Sequence, residues 1–519
     1  MEYAFNSRLL SNMRTVNNSQ IFRIINLVSF PAFIILLACN QASRQEDAKP
    51  NIVFILADDL GWADLPAYGN SFNEAPSLDR LAREGMRFTD AYAACPVCSP
   101  SRASIQSGMY PARVGVIDFI PGHWRPYESL RVPENRTQFL PEEIITIGEA
   151  MKMAGYTTGY FGKWHLGHQP EHLPGAQGYD DWRVSRGIYY NLNSGEGLHP
   201  PDTTISDQRR LSEVLTDYSI NFIERNQDKP FFLFLAHFDV HVQLDADMKL
   251  IDKYLNKEKV ENYPCNAIYA AMVEHLDRSV GRVLSALDDL HLSENTMVVF
   301  YSDNGGLVSR FDGIPLITKD KLHIYEGTDL AYIATSNAPL RNEKGTVYEG
   351  GIREPLIIKW PEKIEPGSVS VSLITSVDFF PTFMEIAGAP MPAGRLVDGR
   401  SFMPQLRGQT DEGERSVFWH YPVYHHDVPA GAIRKGIWKL IEFFDDGRLE
   451  LYNLKEDINE QYDLANERPD KVMELHEELR AWRISVRADM PVANPDFEPE
   501  RRFIWGRHPY HDREVSESQ

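Results

Sequence analysis

Residues 51–59 read Asn51-Ile-Val-Phe-Ile-Leu-Ala-Asp-Asp59, an apolar run that stops abruptly at two carboxylates. A run without a polar break, Ile52 to Ala57, describes a strand buried on both faces rather than one with a wet side. Acids at the carboxyl end of such a strand stand where open α/β sheets collect their ligands. A second stretch repeats the plan: Met297 to Tyr301 is apolar and gives way to Ser302-Asp303-Asn304-Gly305-Gly306.

Outward from these two runs the pattern alternates. Leu78–Met86 reads as helix, Tyr156–Phe161 as strand, Leu211–Arg225 as helix, Phe231–Ala236 as a buried strand and Tyr269–Leu290 as a long amphipathic helix. Strands alternating with helices predict an α/β fold, a large doubly wound, mixed but mainly parallel sheet between helices. From about Ser401 the character changes. Val417–Tyr421, Ile433–Phe443 and Leu449–Leu454 read as antiparallel strands, with a turn at Asp445-Asp446-Gly447, and a helix follows at Pro469–Val486. The predicted organisation is a large domain over residues 50–400, a smaller α+β C-terminal subdomain over 401–495 and a tail over 496–519.

Composition narrows the function. The chain has 519 residues, 43% hydrophobic and 24% charged, ordinary globular usage that excludes global disorder and fibrous architectures. Its 53 Lys and Arg against 74 Asp and Glu give a net charge of −21, which argues against a nucleic-acid binder. Any anionic substrate must meet a local basic pocket. Four cysteines, Cys39, Cys95, Cys98 and Cys265, are too few for a disulfide scaffold of this size.

The N-terminus reads as an address. An apolar run from Phe22 to Cys39 is preceded by Arg8, Arg14 and Arg23 and closes in Leu36-Leu37-Ala38-Cys39. It resembles a bacterial lipoprotein signal. That predicts a signal peptide over residues 1–38, lipidation of Cys39, a linker over 39–49 and a lipid anchor in the bacterial cell envelope, in the periplasm or on the outer-membrane surface. An uncleaved anchor helix and a plain secretory signal are the other readings; Pro31 and the short run disfavour a spanning helix.

The chemistry concentrates around Cys95-Pro-Val-Cys98-Ser-Pro-Ser-Arg102-Ala-Ser-Ile-Gln-Ser-Gly108. A Cys-x-x-Cys can be a redox pair or half a zinc site. Neither accounts for Pro100 and Arg102, and no second such motif follows. Cys98-Ser99-Pro100-Ser101-Arg102 followed by Gly108 resembles the signature of type I formylglycine-dependent sulfatases of the alkaline phosphatase superfamily. Their general form is Cys-x-Pro-Ser-Arg-x-x-x-Leu-Thr-Gly; here Gln106 and Ser107 replace the usual Leu and Thr. The resemblance extends from Asn51 to about Pro499, through Gly162-Lys-Trp-His-Leu-Gly167, Ser302-Asp-Asn-Gly-Gly306, Lys344-Gly-Thr-Val-Tyr-Glu-Gly-Gly-Ile-Arg353 and Glu450-Leu-Tyr-Asn-Leu454.

The resemblance implies that a formylglycine-generating maturation enzyme oxidises Cys98 to Cα-formylglycine. The chemistry has its own logic: one hydroxyl of a hydrated aldehyde can attack sulfur, and the other can then expel sulfate, which a thiol cannot do. Pro100 and the helical continuation put residue 98 at a helix N-terminus, which favours anions. Asp58, Asp59, Asp303 and Asn304 offer only oxygen, the ligand set of Ca²⁺ or Mg²⁺ rather than zinc. By resemblance the ion is Ca²⁺, with residue 98 completing its shell.

Lys163 and His165 share a face of an extended segment. The family match makes Lys163 and Lys344 sulfate-binding cations, His165 the partner of the formylglycine hydroxyl, and Arg102 the residue that steadies formylglycine and metal. The leaving-group acid follows Phe231–Ala236. Relatives read Leu-Ala-x-x-x-Pro-His-x-Pro, and here Leu235-Ala-His237-Phe-Asp-Val-His241-Val-Gln243 places His241 at the matched position without either proline, with His237 as the substitute.

Specificity is expected in two places. Leu307–Ser336, with Arg310, Lys319, Lys321, His323 and Tyr325, either shapes the pocket or is a solvated loop. Trp419-His420-Tyr421-Pro-Val-Tyr424-His425-His426 offers His420 and His425 to a sugar, or forms a His-rich metal patch. The expectation is a sulfuric ester hydrolase acting on a sulfated carbohydrate, an algal polysaccharide of the ulvan, carrageenan or fucan class. A phosphodiesterase or phosphonate monoester hydrolase with the same nucleophile, and a non-catalytic glycan-binding lipoprotein, are the rivals.

Overall fold

A computed structural model describes residues 49–133, 137–189, 197–202, 204–205, 208–310, 313–409 and 415–507. The predicted signal, Cys39 and the linker up to residue 48 lie outside the described residues, as does the end of the tail. Among the described residues no helix is long and apolar enough to cross a membrane.

The apolar runs become the middle of a ten-stranded sheet. Its principal strands are β1 (Asn51–Ala57), β2 (Met86–Tyr92), β3 (Thr157–Gly162), β4 (Asp181–Arg186), β5 (Gly197–His199), β6 (Phe231–Ala236), β7 (Thr296–Ser302), β8 (Arg353–Lys359) and β9 (Ser368–Ser370). Their order is β9-β2-β8-β7-β1-β6-β3-β4-β5, and a short strand at Ile374–Thr375 also pairs with β2. From β7 to β4 all neighbours are parallel, while β8 runs antiparallel to both β2 and β7. The sheet is therefore mixed and mainly parallel, as predicted.

Alternation along β1 shows why it is apolar throughout. Val53, Ile55 and Ala57 enter one core, with helices α2 (Leu211–Asn226) and α3 (Ala267–Asp289). Ile52, Phe54 and Leu56 enter another, with α1 (Cys98–Ser107) and α4 (Phe379–Ile386). Each face of the strand is covered, so neither can afford a polar residue.

Register then aligns the strand ends. Ala57 pairs with Ser302, Leu56 with Ala236, and Ala236 with Gly162. The residues that follow β1, β3, β6 and β7 consequently emerge together at one edge.

Five of these strands, β2, β4, β5, β8 and β9, escaped the sequence reading. The predicted helix Leu78–Met86 is Pro76–Glu84; Gly85 is extended and Met86 opens β2. In β8, Pro355 cannot donate to a ladder, and the pairing with β2 shifts register between Glu354 and Leu356 to accommodate it.

The C-terminal strands Ser416–Tyr421, Ala430–Lys435, Trp438–Phe443 and Leu449–Asn453 form a four-stranded antiparallel sheet. The predicted strand Ile433–Phe443 is two, split at Gly436, whose φ is +57°. Helix α5 (Pro469–Val486) covers one face through Leu475 and Leu479. The other face packs against Tyr92, Val97 and Tyr348, and Trp419 donates to the carbonyl of Ala93 at 2.7 Å. Residues 492–493, at the end of the predicted C-terminal subdomain, and 506–507, in the predicted tail, pair with short strands at Leu130–Arg131 and His123–Trp124.

Candidate active site

Cys98 is the first residue of α1, and every residue of that helix is buried. Gly108, left-handed at φ +67°, caps its far end by donating to Ser104. The exposed N–H groups of the first turn thus meet the carboxyl edge of the sheet, a setting that favours an anion.

Around Cys98 Sγ the four strand ends converge. The thiol lies 3.4 Å from Asp58 Oδ1 and 3.8 Å from Asp59 Oδ1. Lys163 Nζ is 3.5 Å from the sulfur and 2.5 Å from Asp58 Oδ2. Lys344 Nζ is 3.4 Å from the sulfur and 2.6 and 2.7 Å from the two oxygens of Asp59. Reaching this position requires Gly162: at φ +126°, a Cβ there would sit 1.7 Å from the carbonyl oxygen of Ala236.

Arg102, one turn into α1, donates through Nε to Asp303 Oδ2 at 2.8 Å and through Nη1 to the carbonyl of Lys163 at 2.6 Å. Asn304 donates to Asp59 Oδ1 at 2.8 Å. The predicted residues Asp58, Asp59, Cys98, Arg102, Lys163, Asp303, Asn304 and Lys344 are thus brought together, with three carboxylates facing three cations.

The carboxyls of the site shift in opposite directions. Burial works to raise the Asp58 carboxyl, but Lys163, His241, Arg102 and Lys344 outweigh it and hold it well below the usual range. Asp303 goes the other way, pushed up to about 7 by burial and then by the charge of Asp58. Burial also pushes the Cys98 thiol up, against the pull of Lys163 and Lys344. A working thiolate needs the opposite shift, so the unmodified cysteine is a poor nucleophile.

The donor set fits a hard cation. Asn304 Oδ1 is buried with no hydrogen-bond partner, an acceptor left for a ligand, beside carboxylates from Asp58, Asp59 and Asp303. Ligand atoms of Asp58, Asp59, Cys98 and His241 also lie within 4.8 Å of one another.

Both predicted histidines reach the site. His241 Nδ1 donates to the carbonyl of Val242 at 2.6 Å, which leaves Nε2, 3.6 Å from Asp59 Oδ2, turned inward. Burial, then Lys163, brings its pKa down to about 4. His165 Nε2 donates to the carbonyl of Ile120 at 2.6 Å, leaving Nδ1 buried and unpartnered. Burial, then Lys163, keeps this ring well below the ordinary histidine value and therefore neutral. His237 does not reach the site: fully buried, it hydrogen-bonds Ser279 Oγ at 2.9 Å on α3.

Above Cys98 opens a cavity of about 530 Å³. His425 lines it but His420 does not, a correction to the predicted pair. His420 Nε2 donates to the carbonyl of Asp489 at 2.9 Å, because its strand alternates and turns that ring away under α5. The loop Leu307–Ser336 is divided likewise. Leu307 and Arg310 face the cavity. Lys321 instead pairs with buried Asp245, and Tyr325 accepts from the backbone N–H of Ala267 at 2.6 Å. His426, from the same His-rich stretch as His425, also lines the cavity, as do His168, His199 and Phe238, which the sequence reading did not single out. His168 lies just beyond the Gly162–Gly167 motif, but His199, on an edge strand, has no local signal.

A buried anion cradle at the open edge of a doubly wound sheet defines a hydrolase for anionic esters. Residues 50–389 match the family described as Sulfatase, and residues 342–485 match N-sulphoglucosamine sulphohydrolase, C-terminal. The chain is 32% identical to a sulfatase of Formosa agariphila, covering 87% of this chain and 92% of the relative. It is 31% identical to N-acetylgalactosamine-6-sulfatase of Canis lupus familiaris, covering 80% and 77%. The crystal structure of Ps i-CgsB in complex with k-i-k-neocarrahexaose superimposes with a TM-score of 0.69 at 25% identity, covering 87% of this chain and 96% of that one. The chain belongs to the sulfatase family and is a sulfatase.

Proposed function

We propose that the protein removes sulfate from a sulfated carbohydrate, using Cα-formylglycine made from Cys98 by a formylglycine-generating enzyme. The observation that carries the reading is the pair of ammonium groups, Lys163 and Lys344, at 3.5 and 3.4 Å from Cys98 Sγ on opposite carboxylates. They are spaced to hold sulfate oxygens while the reacting atom of residue 98 faces the sulfur.

Ca²⁺ is the proposed ion, held by Asp58, Asp59, Asp303 and Asn304, with Mg²⁺ the less favoured occupant. Bound there, it supplies positive charge beside the nucleophile, and the aldehyde hydrate supplies the hydroxyl that attacks. Arg102 keeps Asp303 oriented and anchors the Lys163 backbone. The inward Nε2 of His241 is the atom that can deliver a proton to the leaving oxygen; an arriving sulfate offsets the charges of Lys163 and Lys344 that oppose protonation. The lone pair of His165 Nδ1 can accept the hydroxyl proton when sulfate is expelled.

An algal polysaccharide or its oligosaccharides is the proposed substrate, reached from a lipid anchor at Cys39 in the bacterial envelope. Ps i-CgsB, solved with a carrageenan oligosaccharide, supports a carbohydrate of this kind. Sulfate released from algal polysaccharides, their oligosaccharides and glycosaminoglycans tests the reading, after co-expression with a formylglycine-generating enzyme. Release that persists in Cys98→Ala, or faster turnover of phosphate diesters than of every sulfate ester, refutes it.

A further inference from the structure

The cavity carries a cation beyond the two lysines beside residue 98. Lys163 and Lys344 pair with Asp58 and Asp59 in the floor of the site, whereas Arg310 stands on the wall, and among the described lining residues there is no aspartate or glutamate. A cation held on the wall of a low-dielectric cleft draws ligands of the opposite sign.

One wall of this cavity is built as a unit. His426 Nε2 donates to the carbonyl of Ser309 at 2.9 Å, and the Nδ1 atoms of His425 and His426 share a hydrogen bond of 2.8 Å. Arg310 follows Ser309 directly. The segment is clamped by Glu343: Oε2 accepts from the N–H groups of Val308 and Ser309 at 2.7 and 2.9 Å, and Oε1 from Ser309 Oγ at 3.1 Å. Glu343 adjoins Lys344. A single carboxylate therefore fixes the Arg310 wall relative to the lysine beside Cys98. At the base of Lys344, Gly345 (φ +81°) leaves room for His425, whose Nδ1 would lie 1.9 Å from an added Cβ.

We infer that the substrate carries a second anionic group, a sulfate or a carboxylate near the scissile sulfate, and that Arg310, backed by His425 and His426, receives it. The inference rests on the carbohydrate sulfatase reading and deepens it. A guanidinium presents parallel N–H groups that match either anion, and the clamp fixes the backbone just before it.

The test uses the folded Cys98→Ala protein, which binds without turnover. Calorimetric titration compares a monosulfated neutral disaccharide, the same disaccharide with a second sulfate, and a monosulfated disaccharide containing a uronate. The expected result is binding of at least one dianionic ligand about tenfold tighter than the neutral-backbone one. Arg310→Ala in the same background reduces that preference to about twofold or less, and Arg310→Lys leaves it intermediate. The stronger of the two dianionic arms tells sulfate from carboxylate. Equal affinity for all three saccharides, no binding of any, or an Arg310→Ala variant that weakens all three alike overturns the inference. Turnover of 4-nitrophenyl sulfate by the enzyme with Cys98 in place, co-expressed with a formylglycine-generating enzyme, runs in parallel. Its absence counts against the sulfatase mechanism while leaving the binding preference to be read by itself.

Discussion

Arg102 and Asp303 meet at the floor of the site with Nε and Nη2 2.8 and 2.7 Å from the same carboxylate oxygen, both side chains almost wholly inaccessible. Removing one partner of such a pair strands a buried charge. Arg102→Met is expected to lower unfolding free energy by about 3–5 kcal/mol in urea titrations of the metal-free protein. Arg102→Lys should recover only part of it, because an ammonium cannot serve Asp303 and the Lys163 carbonyl with one planar fork. A loss below about 1 kcal/mol for Arg102→Met would place the pair among interactions of surface strength.

Lys163 and Lys344 grip opposite sides of residue 98, so neither can stand in for the other. Each alanine variant is expected to lose about 10²–10³ in kcat/KM for sulfate release, the range of a lost electrostatic donor. Activity within about threefold of the parent for either variant removes that lysine from the sulfate clamp.

The two histidines after β6 separate by readout. His241→Asn is expected to cost about 10²–10⁴ in kcat on a sugar sulfate, and less on an aryl sulfate whose phenolate leaves unaided. His237→Asn should leave the sugar-to-aryl rate ratio unchanged and lower the melting temperature instead, through the lost contact with Ser279. The reverse assignment of these effects would make His237 the acid.

The acids around Lys439 give stability a pH optimum. Lys439, fully buried, lies 2.9 Å from Glu349 and 2.8 Å from Glu460. Glu349 is lowered to about 2, with burial outweighed first by Lys439, so its contribution is lost as pH falls below the unfolded value of 4.5. Glu460 is raised to about 7 by burial, with Glu349 adding to it, so stability is lost as pH rises from 4.5 through 7. Glu460→Gln should flatten the decline in unfolding free energy between about pH 5 and pH 8 by up to about 3 kcal/mol. An unchanged slope would mean that Glu460 titrates alike in both states.

Gly345→Ala tests the packing beneath the Arg310 wall. The added methyl must displace His425, at a backbone angle that L-residues avoid. KM for a carbohydrate sulfate is expected to rise about tenfold, while far-ultraviolet circular dichroism stays that of the parent. A parental KM would show that the His425 ring is not fixed in place.

The core of this molecule is legible because β1, β6 and β7 are uninterrupted apolar runs, and the acids that end β1 and β7 sit where the register delivers them. Arg102, Lys163 and Lys344 were readable because each lies in a dense local motif. The antiparallel β8 was not, since Pro355 and the charged Arg353-Glu354 obscure a strand whose bulge only its partner explains. Nor could sequence separate His420 from His425. One residue faces α5 and the other the cavity, a difference decided by alternation along a strand end and by the hole that Gly345 leaves. His199 joins the cavity through the sheet edge alone, a contact no spacing encodes.

Burial of α1 has a temporal consequence. Cys98, Ser99, Ser101 and Arg102 are each 2% exposed or less. Once the chain has closed around them, no second protein can grasp that segment. On the proposed reading, conversion of Cys98 is therefore confined to the interval between synthesis and closure, and the two processes race. On that reading, enzyme that loses the race is a finished fold with a permanent thiol, and adding the converting enzyme afterwards is expected not to recover it.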